Sequence, residues 1–392
     1  MTVRDARAEP AQARGTERFY VPALDGLRFC AFALVFLHHS PVFPGGSQTA
    51  SVLKEFGWIG VDLFFVLSAY LLIALLQREH VATGSMDLGK FFARRILRIW
   101  PLFYVYVAAC YGYSLATGSG SAEIDGRTIG HLFFLDNVFT ALTGEYNPLN
   151  FTSHLWTIAF EEQFYLFIPL LFAAVVSLRR HGKLFALTMA AVILCQPVLR
   201  WGLTRFHDDE RTFWVIPFLH ADAILVGLLL GAGVGARLIV RVSGDLYAAA
   251  GAMVLGLLLF APANAAVADL LPERQVYFFS VLALSFFLIV LGCLDQRSRI
   301  AWVLSRQPFV FLGRISYGLY VWHLVGHEFG PDLARRWLPA GTIPAGEIAS
   351  WLSAVLPALL LTLVLAVTSY FALERPFLLI KQRFTVVPNR RN

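Results

Sequence analysis

The chain has 392 residues, of which 57% are hydrophobic and 15% charged, and its mean hydropathy is +0.63. A soluble domain carries about 25% charged residues, so composition excludes an ordinary soluble enzyme and points to a polytopic membrane protein. The net charge of +6 gives no ground for a nucleic-acid partner, because membrane proteins concentrate Lys and Arg in cytoplasmic loops.

Each crossing of a hydrocarbon core needs about 20 apolar residues with every backbone group satisfied internally, which means a helix. Ten runs meet this need: 21–40, 57–77, 99–116, 154–177, 183–201, 213–235, 245–263, 275–294, 308–327 and 350–373. The expected fold is all-α, a polytopic membrane protein of about ten transmembrane helices with both termini cytoplasmic. One membrane domain, 19–380, lies between a polar N-terminal tail, 1–18, and a C-terminal tail, 381–392. No small-residue cleavage site follows the first run, so it reads as a retained span. With the N-terminus inside, the outer segments hold only Lys54, Arg127, Arg200, Arg205, Arg211, Arg274, Arg335 and Arg336 of the 32 Lys and Arg. That asymmetry supports an even number of spans. Cys30, Cys110, Cys195 and Cys293 all fall in apolar runs and read as small core residues, not as a disulfide set or a metal site.

The first span, "LDGLRFCAFALVFLHHS", keeps Arg28 and His39 in an apolar stretch. Ionisable residues at membrane depth are costly and usually face a partner or a cavity. An interval of eleven residues is just over three helical turns, so both lie on one face, roughly 16 Å apart along the axis. Asp25 lies one turn below Arg28 as a pairing partner, and His38 projects to another side. The bland alternative has Arg28 snorkelling to the inner interface while His39 ends the helix.

The second span, "GWIGVDLFFVLSAYLL", enters from outside with Asp62 near the surface and Ser68 deeper. The third opens with "RRILRIWPLFY". Arg94 and Arg98 stack at i, i+4 with Arg95 beside them, and Tyr104 follows further in. These Arg read either as a positive-inside stop or, together with Arg28, as a fork-shaped phosphate receptor. The outer segment 117–153 contains "TGSGSAEIDG" and then "TIGHLFFLDNVF", a short surface or partly inserted helix of the kind that often lines a binding site.

The fourth span, "HLWTIAFEEQFYLFIPLL", carries Glu161 and Glu162 about two turns inside its outer edge. Adjacent carboxylates point to different faces. Glu161 shares the more polar face with His154, Thr157 and Tyr165, but the choice between the two stays open. Span six, "WVIPFLHADAILVGLLLG", places His220 and Asp222 near its outer end. Span nine, "LGRISYGLYVWHLV", puts Ser316 and Tyr317 toward the inside and His323 in the outer half. On this topology His39, Asp62, Glu161 and His323 gather in the outer half, while Arg28, Arg94, Arg95 and Arg98 gather inside. An acid–base cluster above a polyanion site suits a donor with a phosphate-rich head and a long thin arm. Acyl-coenzyme A is such a donor.

Six blocks in order resemble the integral-membrane acyltransferase family 3. They are "LDGLR" with His39 after ten intervening residues, "GWIGVDLFFVLSAYLL", "RRILRIWPLFY", "HLWTIAFEEQFYL", "LGRISYGLYVWH" and "LERPF". Ala69 stands where Gly is usual and Thr157 where Ser is usual. The resemblance covers nearly the whole chain. It implies a catalytic role for His39, donor-binding roles for Arg28, Arg95 and Arg98, and placement in a bacterial cytoplasmic membrane. It also implies a hydroxyl acceptor on a carbohydrate, lipid or secondary metabolite, with acetyl as the expected acyl group. Some members carry a further hydrolase-like domain after the last span, which is not expected here.

His39 then reads as general base on the acceptor hydroxyl, since imidazole titrates near neutrality. Glu161 or Glu162 would orient it, and Tyr or backbone donors would steady the oxyanion. Direct transfer and an acyl-His intermediate both remain open, as does a homo-oligomeric state. The alternative function is a transporter or flippase of an anionic lipid-linked sugar, using the same charges as relays.

Overall fold

In the computed structural model the residues described are 19–42, 48–179, 182–206, 210–235, 239–240, 242–260, 272–337 and 346–387. The N-terminal tail 1–18 and residues 388–392 of the C-terminal tail lie outside them. Every regular element among the described residues is helical. The helices are α1 (Pro22–His39), α2 (Gln48–Phe56), α3 (Gly60–Thr83), α4 (Leu88–Ala116), α5 (Ala122–Leu132), α6 (Asp136–Thr143), α7 (Trp156–Arg179), α8 (Gly182–Leu203) and α9 (Glu210–Val215). There follow α10 (Asp222–Gly231), α11 (Gly244–Phe260), α12 (Pro272–Leu294), α13 (Arg299–Leu304), α14 (Gln307–Arg314), α15 (Ser316–Trp337), α16 (Glu347–Ser369) and α17 (Arg375–Lys381).

Five stretches among the described residues are long and apolar enough to cross a membrane: Val52–Thr83, Leu88–Ala116, Trp156–Leu178, Val276–Leu294 and Glu347–Phe384. Helices α1 and α15 have 18 and 22 residues, yet the polar residues they carry lower their mean hydropathy. Apolar stretches of α8, α10 and α11 are shorter.

Two of the sequence-derived spans are interrupted. The run 213–235 divides into α9 and α10 with non-helical backbone at 216–221, and the run 308–327 divides at Ile315 into α14 and α15. Window hydropathy averages over both interruptions because the intervening residues are themselves apolar. At the other end, α17 passes into a 3-10 turn, Gln382–Phe384, and the carbonyl of Phe384 accepts a 2.8 Å bond from Arg94 Nη1. The start of the expected C-terminal tail is therefore docked on α4.

Local signals explain the helix ends near the site. Pro22 opens α1, where its missing N–H costs nothing. Ser40 ends it, with Oγ donating to the Phe36 carbonyl at 2.9 Å. Asp87 caps α4 by accepting from the Lys90 N–H. Gly84 closes α3 in the left-handed conformation at φ 76°, which glycine adopts without steric cost. Helices in a bilayer associate through close packing of small residues. A Cβ on Gly60 would collide with the Ala31 carbonyl, and one on Gly313 with the Asp25 carbonyl. These approaches press the start of α3 and the end of α14 onto α1, the helix that carries Arg28 and His39.

The segment 117–153 forms α5 and α6 around a buried polar cluster. Arg127 contacts Asp136 at 3.4 Å and donates to Thr140 Oγ1 at 3.1 Å. Asn147 Nδ2 lies 2.7 Å from Asp136 Oδ1 and 2.8 Å from His131 Nε2. Burial pushes the His131 imidazole below its usual value, which suits it to accept that bond as a neutral ring.

Candidate active site

Arg28 from α1, Arg95 and Arg98 from α4, and Ser316 and Tyr317 from the first turn of α15 line one cavity. Glu161, Tyr165 and Thr157 of α7, Ser68 and Phe64 of α3 and Tyr320 of α15 complete most of its wall. It encloses about 720 Å³ of empty space, counting the part open to solvent. Three guanidiniums are joined there by the start of a 22-residue helix, and helix N-termini favour anions. The break at Ile315 is what brings that helix start to the cavity wall. Arg95 lies over the Tyr165 ring at 5.8 Å, within cation–π range, and the Tyr165 hydroxyl donates to Glu161. Tyr317 is held by its hydroxyl on the Ile99 carbonyl at 2.7 Å.

At the far end of α1 the imidazoles gather. His39 Nδ1 is 2.9 Å from the Val35 carbonyl and 3.3 Å from His323 Nε2. His323 Nδ1 is 2.5 Å from the Tyr320 carbonyl. The His39 and His323 rings meet edge to face at 4.8 Å, and the His154 ring meets His323 at the same distance. A carbonyl only accepts, so Nδ1 of both His39 and His323 carries the proton. Nε2 of His39 is then the ring's basic nitrogen. His38 faces elsewhere and exchanges bonds with Lys54: His38 Nδ1–H donates to the Lys54 carbonyl at 2.8 Å, and Lys54 Nζ to the His38 carbonyl at 2.7 Å.

Tyr320 joins the two ends. Its side chain lines the Arg cavity, and its ring packs 5.5 Å from His323 and 5.2 Å from His154. Its hydroxyl lies 2.7 Å from Thr157 Oγ1 and donates to the His154 carbonyl at 3.1 Å. Tyr320 does not stand out in the sequence, because it belongs to an aromatic-rich apolar stretch, and His154 enters there only as a neighbour of Glu161 on one face. Their significance appears only when α7 and α15 are seen side by side.

Several expected site residues are placed otherwise. Arg94 bonds Glu79 at 2.8 Å and the Phe384 carbonyl, so it fastens α3 and the 3-10 turn to α4 rather than facing the cavity. Asp62 binds His220 Nε2 at 2.7 Å, and His220 Nδ1–H donates to the Trp214 carbonyl at 3.0 Å. Asp222 pairs with Arg200 at 2.6 Å. Non-helical backbone at membrane depth persists only where its polar groups are satisfied. Arg200 also donates to the Leu219 carbonyl at 2.8 Å, so Asp62, His220, Asp222 and Arg200 support the break at 216–221. Arg200, counted above with the outer loop charges, is fully buried.

The bonds that orient His39 come from Val35 and His323, not from Glu161 or Glu162. Glu161 belongs to the Arg cavity, and Glu162 accepts from Trp100 Nε1 at 3.1 Å. Asp25 accepts from the Tyr20 hydroxyl at 2.8 Å, and Tyr104 donates to the Leu132 carbonyl at 3.0 Å. Among the described residues, no group of three His, Cys, Asp or Glu is arranged to hold a metal ion.

A family model described as "Acyltransferase domain" matches residues 21–371. The chain is 26% identical over 378 residues to "Putative O-acetyltransferase SACOL0978" of Staphylococcus aureus (strain COL), covering 91% of this chain and 57% of that protein. It is 26% identical over 377 residues to "Putative peptidoglycan O-acetyltransferase YrhL" of Bacillus subtilis (strain 168), covering 91% and 55%. It is 31% identical over 320 residues to "Putative acetyltransferase ORF330" of Acidianus two-tailed virus, covering 80% and 85%. The chain thus spans little more than half the length of the two bacterial relatives. No solved structure matches it. With the family model matched from Val21 to Phe371, the chain belongs to the acyltransferase domain family.

Proposed function

We propose that the protein is a membrane O-acyltransferase that moves an acyl group, acetyl in the first instance, from acyl-coenzyme A to a hydroxyl. The observation that carries this reading is the placement of Arg28 in a guanidinium-lined cavity and of His39 in an imidazole cluster at opposite ends of one continuous helix. Tyr320 touches both. Phosphates recognise paired guanidiniums and helix starts, so the nucleotide head of the donor sits with Arg28, Arg95 and Arg98. The pantetheine arm runs along α1 past Tyr320 and brings the thioester to His39.

His39 Nε2 takes the proton of the acceptor hydroxyl as its oxygen attacks the thioester carbonyl. The tetrahedral oxyanion is steadied by the Tyr320 or the Thr157 hydroxyl, turned toward it from the His154 carbonyl that both bond beforehand. Collapse breaks the carbon–sulfur bond, and the proton held on Nε2 passes to the departing sulfur, giving ester and free coenzyme A thiol. In an acyl-His route the same nitrogen first attacks the carbonyl and expels the thiolate; the acceptor hydroxyl then attacks the acyl-imidazole, regenerating His39, and its proton passes to the sulfur. The donor enters from the cytoplasm if both termini lie there and ten spans cross the membrane. The acceptor is then a carbohydrate, lipid or small molecule on the other side, in a bacterial cytoplasmic membrane. The Bacillus relative's name supports the carbohydrate class.

The test is thiol release from acetyl-coenzyme A by the purified protein in liposomes. His39→Ala is expected to abolish it while leaving donor binding and thermal unfolding unchanged. Normal release from that variant overturns the reading. Movement of an anionic lipid-linked sugar without thioester consumption would replace it with transport.

A further inference from the structure

We propose that His323 is the positioning residue of the base His39, accepting the Nδ1–H of His39 on its own Nε2. This rests on the reading of His39 as base. The two rings come from helices far apart in sequence and are linked at 3.3 Å, with His323 fully buried. The bond to the Tyr320 carbonyl requires a proton on His323 Nδ1, which leaves Nε2 as a lone pair directed at His39. In hydrolytic triads a carboxylate accepts from the corresponding nitrogen of the base. Here a neutral imidazole takes that place, where a second buried charge would be costly.

Of the other titratable groups near His39, His38, Lys54 and His327 are committed elsewhere, while both ring nitrogens of His154 have no hydrogen-bond partner among the described residues. His38 donates to the Lys54 carbonyl, and Lys54 Nζ is on the His38 carbonyl. His327 Nε2–H donates to the Phe36 carbonyl at 3.1 Å and its ring stacks on Phe36. His154 presents its ring edge-on to His323. Besides the Val35 carbonyl, His323 is the acceptor that the described residues offer to His39 Nδ1. When Nε2 of His39 takes the hydroxyl proton, the Nδ1–H bond becomes charge-assisted and strengthens. His323 thereby favours the protonated ring during attack and fixes its plane beforehand.

The experiment compares His323→Phe, which fills similar space without an acceptor, with His323→Gln, whose amide oxygen accepts. Thiol release is followed from about pH 5 to 9 in liposomes, with His39→Ala as control. The Phe variant is expected to lose about 10²-fold in kcat with donor KM unchanged, and the acid limb of its profile to move to lower pH. The Gln variant is expected to keep kcat within about tenfold and retain the wild-type acid limb. A Phe variant with wild-type kcat and pH profile overturns the proposal, as does a loss confined to KM. If the Phe variant fails to fold, the Gln variant decides: a folded protein as inactive as His39→Ala overturns it. Activity remaining in His39→Ala instead overturns the underlying reading.

Discussion

Arg94 and Glu79 meet at 2.8 Å with both side chains nearly buried, while Arg95, one residue on, lines the cavity shared with Arg28 and Arg98. The same sequence cluster therefore divides into a guanidinium that ties helices together and one that lines the cavity. Removing one partner of a buried pair strands the other charge and costs about 3–5 kcal/mol. Arg94→Ala is expected to lower the unfolding temperature sharply, or to prevent accumulation of folded protein. Arg95→Ala is expected to unfold like wild type and to raise the donor KM by about tenfold. Thermal unfolding and donor titration in nanodiscs separate the two effects.

Arg28 and Arg98 complete the proposed phosphate receptor. Hydrogen bonds to charged groups contribute about 1.5–3 kcal/mol each, so either Ala variant is expected to raise the acetyl-coenzyme A KM by roughly 10- to 100-fold. Lys restores the charge but not the fork, and should recover only part of the loss. Acetyl-pantetheine, which lacks the nucleotide, provides the control. Its kcat/KM should be the same in wild type and in Arg98→Ala. A drop with acetyl-pantetheine as large as with the full donor would show that Arg98 acts elsewhere than on phosphates.

Tyr320 and Thr157 stand between the cavity and the imidazoles, with their hydroxyls 2.7 Å apart. An oxyanion donor contributes roughly 10²–10³ to turnover. Tyr320→Phe is expected to lower kcat by that order while leaving donor KM and unfolding temperature close to wild type. Thr157→Val removes the second hydroxyl, and comparing the two variants assigns the donor. If neither lowers kcat, the oxyanion is held by other groups.

The sequence discloses the membrane character, the Arg28–His39 register and the grouping of Arg95 and Arg98 with Arg28 and of His323 with His39. Each is a polar residue in an apolar helix, and helical geometry alone places it by depth and face. Pairings between distant helices are not encoded in any local pattern. His220, Asp62 and Asp222 therefore look like functional groups, and Arg200 like an outer-segment charge, until their partners are known. Glu161 shifts from His39 to the Arg cavity for a related reason. Depth along α7 is legible, whereas the rotation of α7 against α1 is fixed by packing. The two helix breaks escape hydropathy because apolar residues fill them, although one break carries Pro217.

Arg200 donates to Asp222 through two nitrogens, at 2.6 and 3.2 Å, to Ser280 Oγ at 2.9 Å, and to the carbonyls of Leu219 and Val276 at 2.8 and 3.0 Å. Replacing both members of a buried ion pair by apolar residues of similar volume is often neutral or stabilising, because both desolvation costs vanish together. That compensation should fail here. Arg200→Met with Asp222→Leu would remove the charges but leave two carbonyls without their guanidinium donor, each costing about 1–3 kcal/mol. The double variant is therefore expected to be clearly less stable than wild type, yet more stable than Arg200→Met alone, which also strands the buried Asp222 charge. Unfolding of wild type and the two variants in detergent measures this. A double variant as stable as wild type would show that the carbonyls at the break find other donors, and that Arg200 serves only to neutralise Asp222.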